Sequence, residues 1–424
     1  MSKTNAELIN RKSQAVARGV GLAHPHFIES AQNATLTDVE GREFIDFAGG
    51  IAVLNTGHLH PLVKAAVAEQ LEKLSHTCFM VLGYEPYVEV CERVNALTPG
   101  NYDKKSALFT TGAEAVENAI KVARAHTGRT GVIAFGAGYH GRTLATLALT
   151  GKVAPYSSGM GIMSGDVFRA LYPCELHGVS TEDAIASIER IFKFDAEPRD
   201  IAAIILEPVQ GEGGFYVAPK PFMAALRELC DKHGIVLIAD EVQTGAGRTG
   251  TFFAMEQMGV SADITTFAKS IAGGFPLAGI VGKADIMDAI APGGLGGTYG
   301  GSPIACAAAL GVLQAFKEED LLTRANTVGE ILTGNLNQLS VDFPVIAEVR
   351  GLGAMIAMEL LQDGKPAPEL TAALVAKARD KGLILLSCGL YGNVIRILVP
   401  LTVPDQQLQQ GLDIIRDCFS ELAG

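Results

Sequence analysis

Asp240 and Lys269 are the two residues whose types and positions first point to chemistry. Asp240 follows the apolar run IVLIA, and Lys269, 29 residues later, ends the run ITTFA. A carboxylate at the end of a buried strand is costly unless a cation meets it. Asp240 therefore reads as a helix cap, a structural ion pair or a functional group. Lys269 precedes Ser-Ile-Ala-Gly-Gly, where a lysine is commonly a solvated loop residue. In an apolar setting, however, a lysine loses its proton more readily and attacks carbonyls. An Asp and a Lys on neighbouring strand ends suit pyridoxal 5'-phosphate. The amine would hold the aldehyde as a Schiff base, and the carboxylate would keep the pyridine nitrogen protonated so that the ring takes up electrons.

That cofactor needs an anion site. Thr110-Thr111-Gly112-Ala113-Glu114 opens the helical pattern AEAVENAIKVARAHT, with Thr111 and Glu114 in capping-box spacing. Free amides at a helix start bind anions, although the same spacing also describes an ordinary capped helix. The segment lacks the lysine of a nucleotide-binding P-loop. A second glycine motif, GAGRTG at 245–250, matches GxGxxG and raises an NAD-dependent oxidoreductase as a reading from a different class. It follows its strand only after a polar insert and lacks an acidic residue about 20 residues on, so a loop is the better reading. Tyr139-His140-Gly141-Arg142 follows the run GVIAF, where Tyr139 is placed either to pack or to stack on a flat cofactor. Arg396 lies inside NVIRILVP and needs an anion, either in a structural salt bridge or as a carboxylate ligand. His24, His26, His58 and His60 lack a third ligand in pattern and read as loop residues, with no metal.

The elements around these residues alternate. Runs such as GVIAF, IAAIILEP and IVLIADE show no in-out alternation and are separated by helical segments, including KPFMAALRELCDKHG, which Gly234 closes. Such strands belong to a parallel sheet buried on both faces, where ligands bind at the carboxyl ends. The first ~30 residues read as an arm of weak pattern, followed by two short strands about a Glu40–Gly41 turn. After a helix from Ser302 to about Glu318 the pattern changes to strands within 346–360, 383–389 and 393–400, and to helices at 369–381 and 404–422. The expected organisation is an N-terminal arm with strands (1–60), a large domain (61–325) and a smaller α+β domain (326–424).

The 424 residues are 48% hydrophobic and 19% charged, enough to bury a large core. Lys and Arg number 34 against 46 Asp and Glu, a net charge of −12 with no basic run, which disfavours nucleic acid and anionic membranes as partners. No apolar run approaches the ~18–20 residues of a membrane span, and the N-terminus shows no signal-peptide pattern. The seven cysteines make no CxxC, as expected of reduced thiols in a cytoplasmic protein.

Taken together, the segments FAGGIAVLNTGHLHP (47–61), TTGAEAVENAIKVARA (110–125), YHGRT (139–143), EPVQGEGGF (207–215), IADEVQTGAGRTG (238–250), TTFAKSIAGGFPLAG (265–279), GGTYGGSP (296–303) and RGLGAMIA (350–357) resemble the class III (subgroup II) pyridoxal-phosphate aminotransferases. The likeness covers essentially the whole chain and is nearest to bacterial 4-aminobutyrate and 5-aminovalerate aminotransferases. It implies an α/β fold of the fold-type I class, with a mostly parallel sheet flanked by helices plus a smaller α+β domain. It also implies transfer of the terminal amino group of 4-aminobutyrate, with 5-aminovalerate a second donor, to 2-oxoglutarate, giving a semialdehyde and L-glutamate in a ping-pong cycle. Ornithine, acetylornithine and diamine donors are the alternatives within the family.

Residue by residue, the resemblance gives Lys269 the Schiff base, Asp240 the pyridine nitrogen and Gln243 the ring hydroxyl. Tyr139 and Val242 would sandwich the ring, and Gly112 and Ala113 would hold the phosphate. Thr298 would reach the phosphate of a neighbouring subunit, so a homodimer or homotetramer is expected. Ile51, Arg142, Glu212 and Arg396 would form the substrate pocket, with Glu212 neutralising Arg396 whenever no α-carboxylate occupies it. The chain departs from the usual pattern at Ala113, where relatives often have Ser, at Met80 in place of Gln, and at Gly300-Gly301-Ser302 in place of Ala-Gly-Asn.

Overall fold

The computed structural model describes residues 3–161, 163 and 165–422, so the outermost two residues at each end of the expected organisation lie outside it. The N-terminal strands are β1 (Ile28–Gln32), β2 (Thr35–Asp38) and β3 (Glu43–Asp46). The central strands are β4 (Lys104–Phe109), β5 (Gly131–Phe135), β6 (Val167–Ala170), β7 (Ile201–Leu206), β8 (Val236–Asp240), β9 (Ile264–Phe267) and β10 (Ala278–Lys283). The C-terminal strands are β11 (Ile346–Leu352), β12 (Met355–Gln362), β13 (Lys365–Pro366), β14 (Leu383–Ile384), β15 (Leu386–Cys388) and β16 (Val394–Ile397).

The central strands form one sheet in the order β4-β10-β9-β8-β7-β5-β6. Pairs from β9 through β8, β7 and β5 to β6 are parallel. Only β10 runs against both its neighbours. Successive residues on each central strand enter opposite cores. Ile133, Phe135, Ile204, Leu206 and Leu237 pack with helices Thr181–Phe194 and Lys220–His233. Val132, Ala134, Ala203, Ile205 and Val236 pack with helix Gly112–Thr127. Both faces are therefore covered, which is why these strands read as unbroken apolar runs. Each fully buried side chain of this size contributes roughly 1.5–3 kcal/mol.

The two ends of the chain meet. β3 pairs in parallel with β14, extending the N-terminal hairpin into the C-terminal region. The C-terminal sheet runs β11-β12-β16-β15, with β13 on β12. Four of the longer helices depart from the expectation: Glu85–Leu97 and Thr181–Phe194, and the two that follow. Asn5–Ala15 is helical within the expected arm, capped by Thr4 but burying only Asn5. Leu321–Asp342 is a long helix that starts behind Asp320, an N-cap residue type, but Asp320 is left-handed and its side chain makes no cap bond.

The loop 245–250 opens no helix. It wraps Arg248, which is wholly buried. Its Nε and NH2 donate to Asn55 Oδ1, and its NH1 donates to the carbonyls of Ala354 (3.2 Å) and Val399 (2.8 Å). The strand–glycine-loop–helix geometry of a dinucleotide site is therefore missing here. Gly353, at φ +51, lets the following turn approach the Thr249 backbone so closely that an added Cβ would lie 2.3 Å from it.

Candidate active site

The carboxyl ends of β8 and β9, with the segments following β4, β5 and β7, surround a cavity of about 500 Å³. Its walls include Thr111, Gly112, Ala113, Tyr139, His140, Arg142, Glu207, Asp240, Val242, Gln243 and Lys269. Eight expected site residues thus meet at one place. Ile51, Glu212, Arg396 and Thr298 are outside this lining.

Lys269 follows β9 by two residues and sits at φ +50, a conformation costly for a side-chain-bearing residue. Burial lowers the pKa of its amine to about 8, against the pull of Glu212. A fraction of the unprotonated amine is therefore present near neutral pH. Asp240 is buried and accepts from the Val242 amide (3.2 Å) and the Thr266 hydroxyl (2.8 Å) on one oxygen. His140 Nδ1 lies 2.6 Å from the other oxygen. The His140 Nε2, the Gln243 Oε1 and the Arg396 Nε are buried without a hydrogen-bond partner. Unsatisfied buried groups of this kind call for an occupant.

The helix Gly112–Thr127 begins with the expected capping box, Thr111 and Glu114. The Glu114 carboxylate accepts from the amides of Thr110 (2.9 Å) and Thr111 (2.8 Å). The first backbone bond within the helix is made by Ala115 to Thr111, which leaves the Gly112 and Ala113 amides ahead of it as an anion seat. An added Cβ at Gly112 would lie 2.9 Å from Val242, so the wall is tight there.

Arg396 on β16 is 5% exposed and pairs with Glu212. Burial would push the Glu212 carboxyl up, but Arg396 outweighs it and holds the group below the usual range. Burial likewise opposes the Arg396 charge, and Glu212 restores it. Tyr156 OH lies 3.3 Å from Glu212 Oε2. The Arg142 guanidinium sits 5.0 Å from the Tyr156 ring centre, and its Nε donates to Tyr139 OH at 3.2 Å. Both lysine-side and arginine-side groups are coupled, since Glu212 and Arg396 both act on the Lys269 amine.

Ile51 is 42% exposed and strained at φ +67 within the turn 49–52, with Val53 rather than Ile51 lining the cavity. Thr298 stands exposed on the loop 293–301.

Three site residues escaped the sequence reading. Glu207 follows β7 just as Asp240 ends β8, and its carboxylate accepts from the amides of Tyr139 (2.8 Å) and Gly211 (2.9 Å). Burial raises its pKa to about 7, with His140 opposing and Asp240 adding to the rise. The apolar run before Glu207 was a usable signal. His140 was seen only as part of an aromatic pair, and Tyr156 carries no pattern signal.

A family model described as aminotransferase class-III matches residues 15–419. The chain is 70% identical to the 5-aminovalerate aminotransferase DavT of Pseudomonas putida, over 100% of both chains. It is 66% identical to the 4-aminobutyrate aminotransferase GabT of Escherichia coli, over 99% of both. Among solved structures, a Bacillus anthracis aminotransferase superposes with a TM-score of 0.92 at 27% identity, covering 99% of both chains. An ornithine aminotransferase from Toxoplasma gondii, with PLP at partial occupancy in its active site, gives 0.88 at 30% identity, covering 99% of this chain and 95% of that one.

Proposed function

The chain belongs to the class-III aminotransferases, and on that premise we propose that it moves the terminal amino group of an ω-amino acid, 4-aminobutyrate or 5-aminovalerate, to 2-oxoglutarate. The observation that carries this reading is the Arg396–Glu212 pair beside Lys269. A buried arginine that already has an internal anion can serve one substrate with an α-carboxylate and another without.

The residues fit pyridoxal 5'-phosphate. Lys269 would hold its aldehyde, Asp240 its pyridine nitrogen and Gln243, with an unpartnered oxygen, its ring hydroxyl. Tyr139 and Val242 would flank the ring, and the Gly112 and Ala113 amides would take the phosphate. When bound, the cofactor supplies an aldehyde for amines and a ring that accepts the electron pair released at the donor carbon.

The protein's part is then positional and acid–base. Lys269 Nζ would take the proton from the donor carbon and pass it to the cofactor's former aldehyde carbon, a role its lowered pKa suits. His140 and Thr266 hold Asp240 in place. Arg142 holds the carboxylate remote from the reacting amine. With an ω-amino donor, Glu212 keeps Arg396 neutralised. With glutamate or 2-oxoglutarate, Arg396 forks onto the α-carboxylate and Glu212 withdraws. The semialdehyde leaves before 2-oxoglutarate enters. One methylene separates the two donors, and a methylene typically gives only ~1–3 kcal/mol of discrimination, so both are substrates.

The proposal extends to organisation and assembly. Residues 61–325 would be the cofactor-bearing domain, and 1–60 would side with 326–424, as the β3–β14 pairing supports. Met80, Val81, Leu82 and Tyr299 are exposed apolar residues. A patch of this kind supports a homo-oligomer in which Thr298 reaches a neighbour's phosphate site. Free cysteines throughout support a cytoplasmic setting.

The test is a set of half-reaction rates with 4-aminobutyrate, 5-aminovalerate, ornithine and putrescine, each followed by 2-oxoglutarate. The first two should exceed putrescine by at least about tenfold, as a carboxylate contact predicts. Equal or faster turnover of putrescine, which has no carboxylate for Arg142, would overturn the donor assignment.

A further inference from the structure

We propose that Tyr156 is the positioning residue of the carboxylate switch: its hydroxyl takes over Glu212 when a dicarboxylate claims Arg396, while its ring seats Arg142. The inference rests on the switch described above and deepens it.

Glu212 has little room to retreat. Its side chain is 19% exposed. Its backbone is clamped, since its carbonyl accepts from the Gly389 amide at 3.0 Å. Two residues on, the Gly214 carbonyl accepts from Arg350 Nε at 2.8 Å. Only the side-chain torsions of Glu212 are free to move. A carboxylate leaving a guanidinium in such a place needs another donor, because an unsatisfied buried charge is costly.

The available donor is already in contact. Glu212 gives Oε1 to Arg396 and has Oε2 3.3 Å from Tyr156 OH. Burial, with Glu212 adding to it, pushes the Tyr156 phenol up, so the hydroxyl keeps its proton. A small rotation converts a shared carboxylate into one held by Tyr156 alone.

The same ring serves the other arginine. Arg142 lies over it at 5.0 Å, and Tyr139 packs beside it at 5.1 Å between ring centres. Arg142 is itself exposed, so the ring and the Tyr139 hydroxyl are what orient it. One side chain thereby touches Arg142 and the carboxylate that neutralises Arg396. The hydroxyl should matter only when Glu212 is displaced, and the ring should matter in both halves.

The experiment uses the holoenzyme and two unreactive probes. Glutarate presents carboxylates to both arginines, and pentanoate presents one. Their dissociation constants are read calorimetrically for the wild type and for Tyr156→Phe, which keeps the ring. Glutarate should weaken about 10- to 150-fold, the value of one hydrogen bond to a charged group, and pentanoate by less than about twofold. The kcat/KM for glutamate should fall by the same factor as glutarate binding, with the ω-amino donors changed less than about threefold. In a Glu212→Gln background, where no charge needs a second seat, Tyr156→Phe should lose this selectivity. Tyr156→Leu should weaken both probes.

Equal weakening of glutarate and pentanoate by Tyr156→Phe, or no change in either, overturns the inference. If the wild type fails to transfer from ω-amino acids while the probes still split, the donor assignment fails and the Tyr156 role stands. If the wild type turns these donors over and the probes do not split, only the Tyr156 role falls.

Discussion

Replacing Arg396 by Ala separates the two half-reactions more sharply than any other single change. The guanidinium is buried, and its one anion is Glu212. Glutamate and 2-oxoglutarate lose a charge-assisted contact in a desolvated site. Truncating one partner of a buried charged pair costs about 2–5 kcal/mol. With tenfold in rate per 1.36 kcal/mol, kcat/KM for these substrates should fall about 30- to 5,000-fold. The ω-amino donor makes no contact with Arg396, and Glu212 keeps its Tyr156 neighbour at 3.3 Å. That half should fall about tenfold or less.

The residual effect should depend on pH in a defined direction. Arg396 is what holds the Glu212 carboxyl below its usual range. Without it, burial pushes that carboxyl up, so Glu212 is more often neutral at acidic pH. The damage to the ω-amino half should therefore shrink as pH falls and grow as pH rises. Single-turnover spectroscopy of the bound cofactor with 4-aminobutyrate and then glutamate, across pH, reads all of this. Equal losses in the two halves would refute the reasoning, because Arg396 would then be a structural residue only.

Two further outcomes follow from the geometry. Capture of pyridoxal 5'-phosphate by the cofactor-free protein should accelerate with pH and level off above about 8, because only the unprotonated Lys269 amine attacks; Lys269→Ala should give no borohydride-reducible link, and a link in that variant would displace Lys269 from its role. Arg248→Ala should destabilise the fold by about 3–5 kcal/mol, since it leaves three buried acceptors, on Asn55, Ala354 and Val399, without donors at roughly 1–3 kcal/mol each; urea unfolding checks this, and a midpoint equal to wild type would show that the loop does not need its guanidinium.

Much of the central sheet was legible because burial on both faces leaves a plain trace. Ile201–Leu206 and Val236–Asp240 are apolar at every position but the last of β8. Strand direction leaves no such trace, so the antiparallel setting of β10 had to come from the structure. The helix Leu321–Asp342 was missed although Asp320, an N-cap residue type, stands before it. The helix Asn5–Ala15 was missed because it buries almost nothing and so has little apolar stripe. Asp240 and Lys269 were found from strand-end position alone. Glu207 offered the same signal and was passed over. The Arg142–Tyr156–Glu212–Arg396 chain was beyond periodicity, since its members come from four separate segments and meet only through the fold.

Arg248 also bears on how the molecule is made. Its three acceptors lie 193, 106 and 151 positions away, on both sides of it in the chain. A nascent polypeptide that has emerged only past the glycine loop can offer that cation Asn55 alone, because two of the acceptors have yet to be translated. Full seating of the glycine loop must then wait for nearly complete synthesis. Prematurely terminated products would carry a dangling loop in place of a vitamin B6 pocket, and such fragments are natural targets for proteolysis.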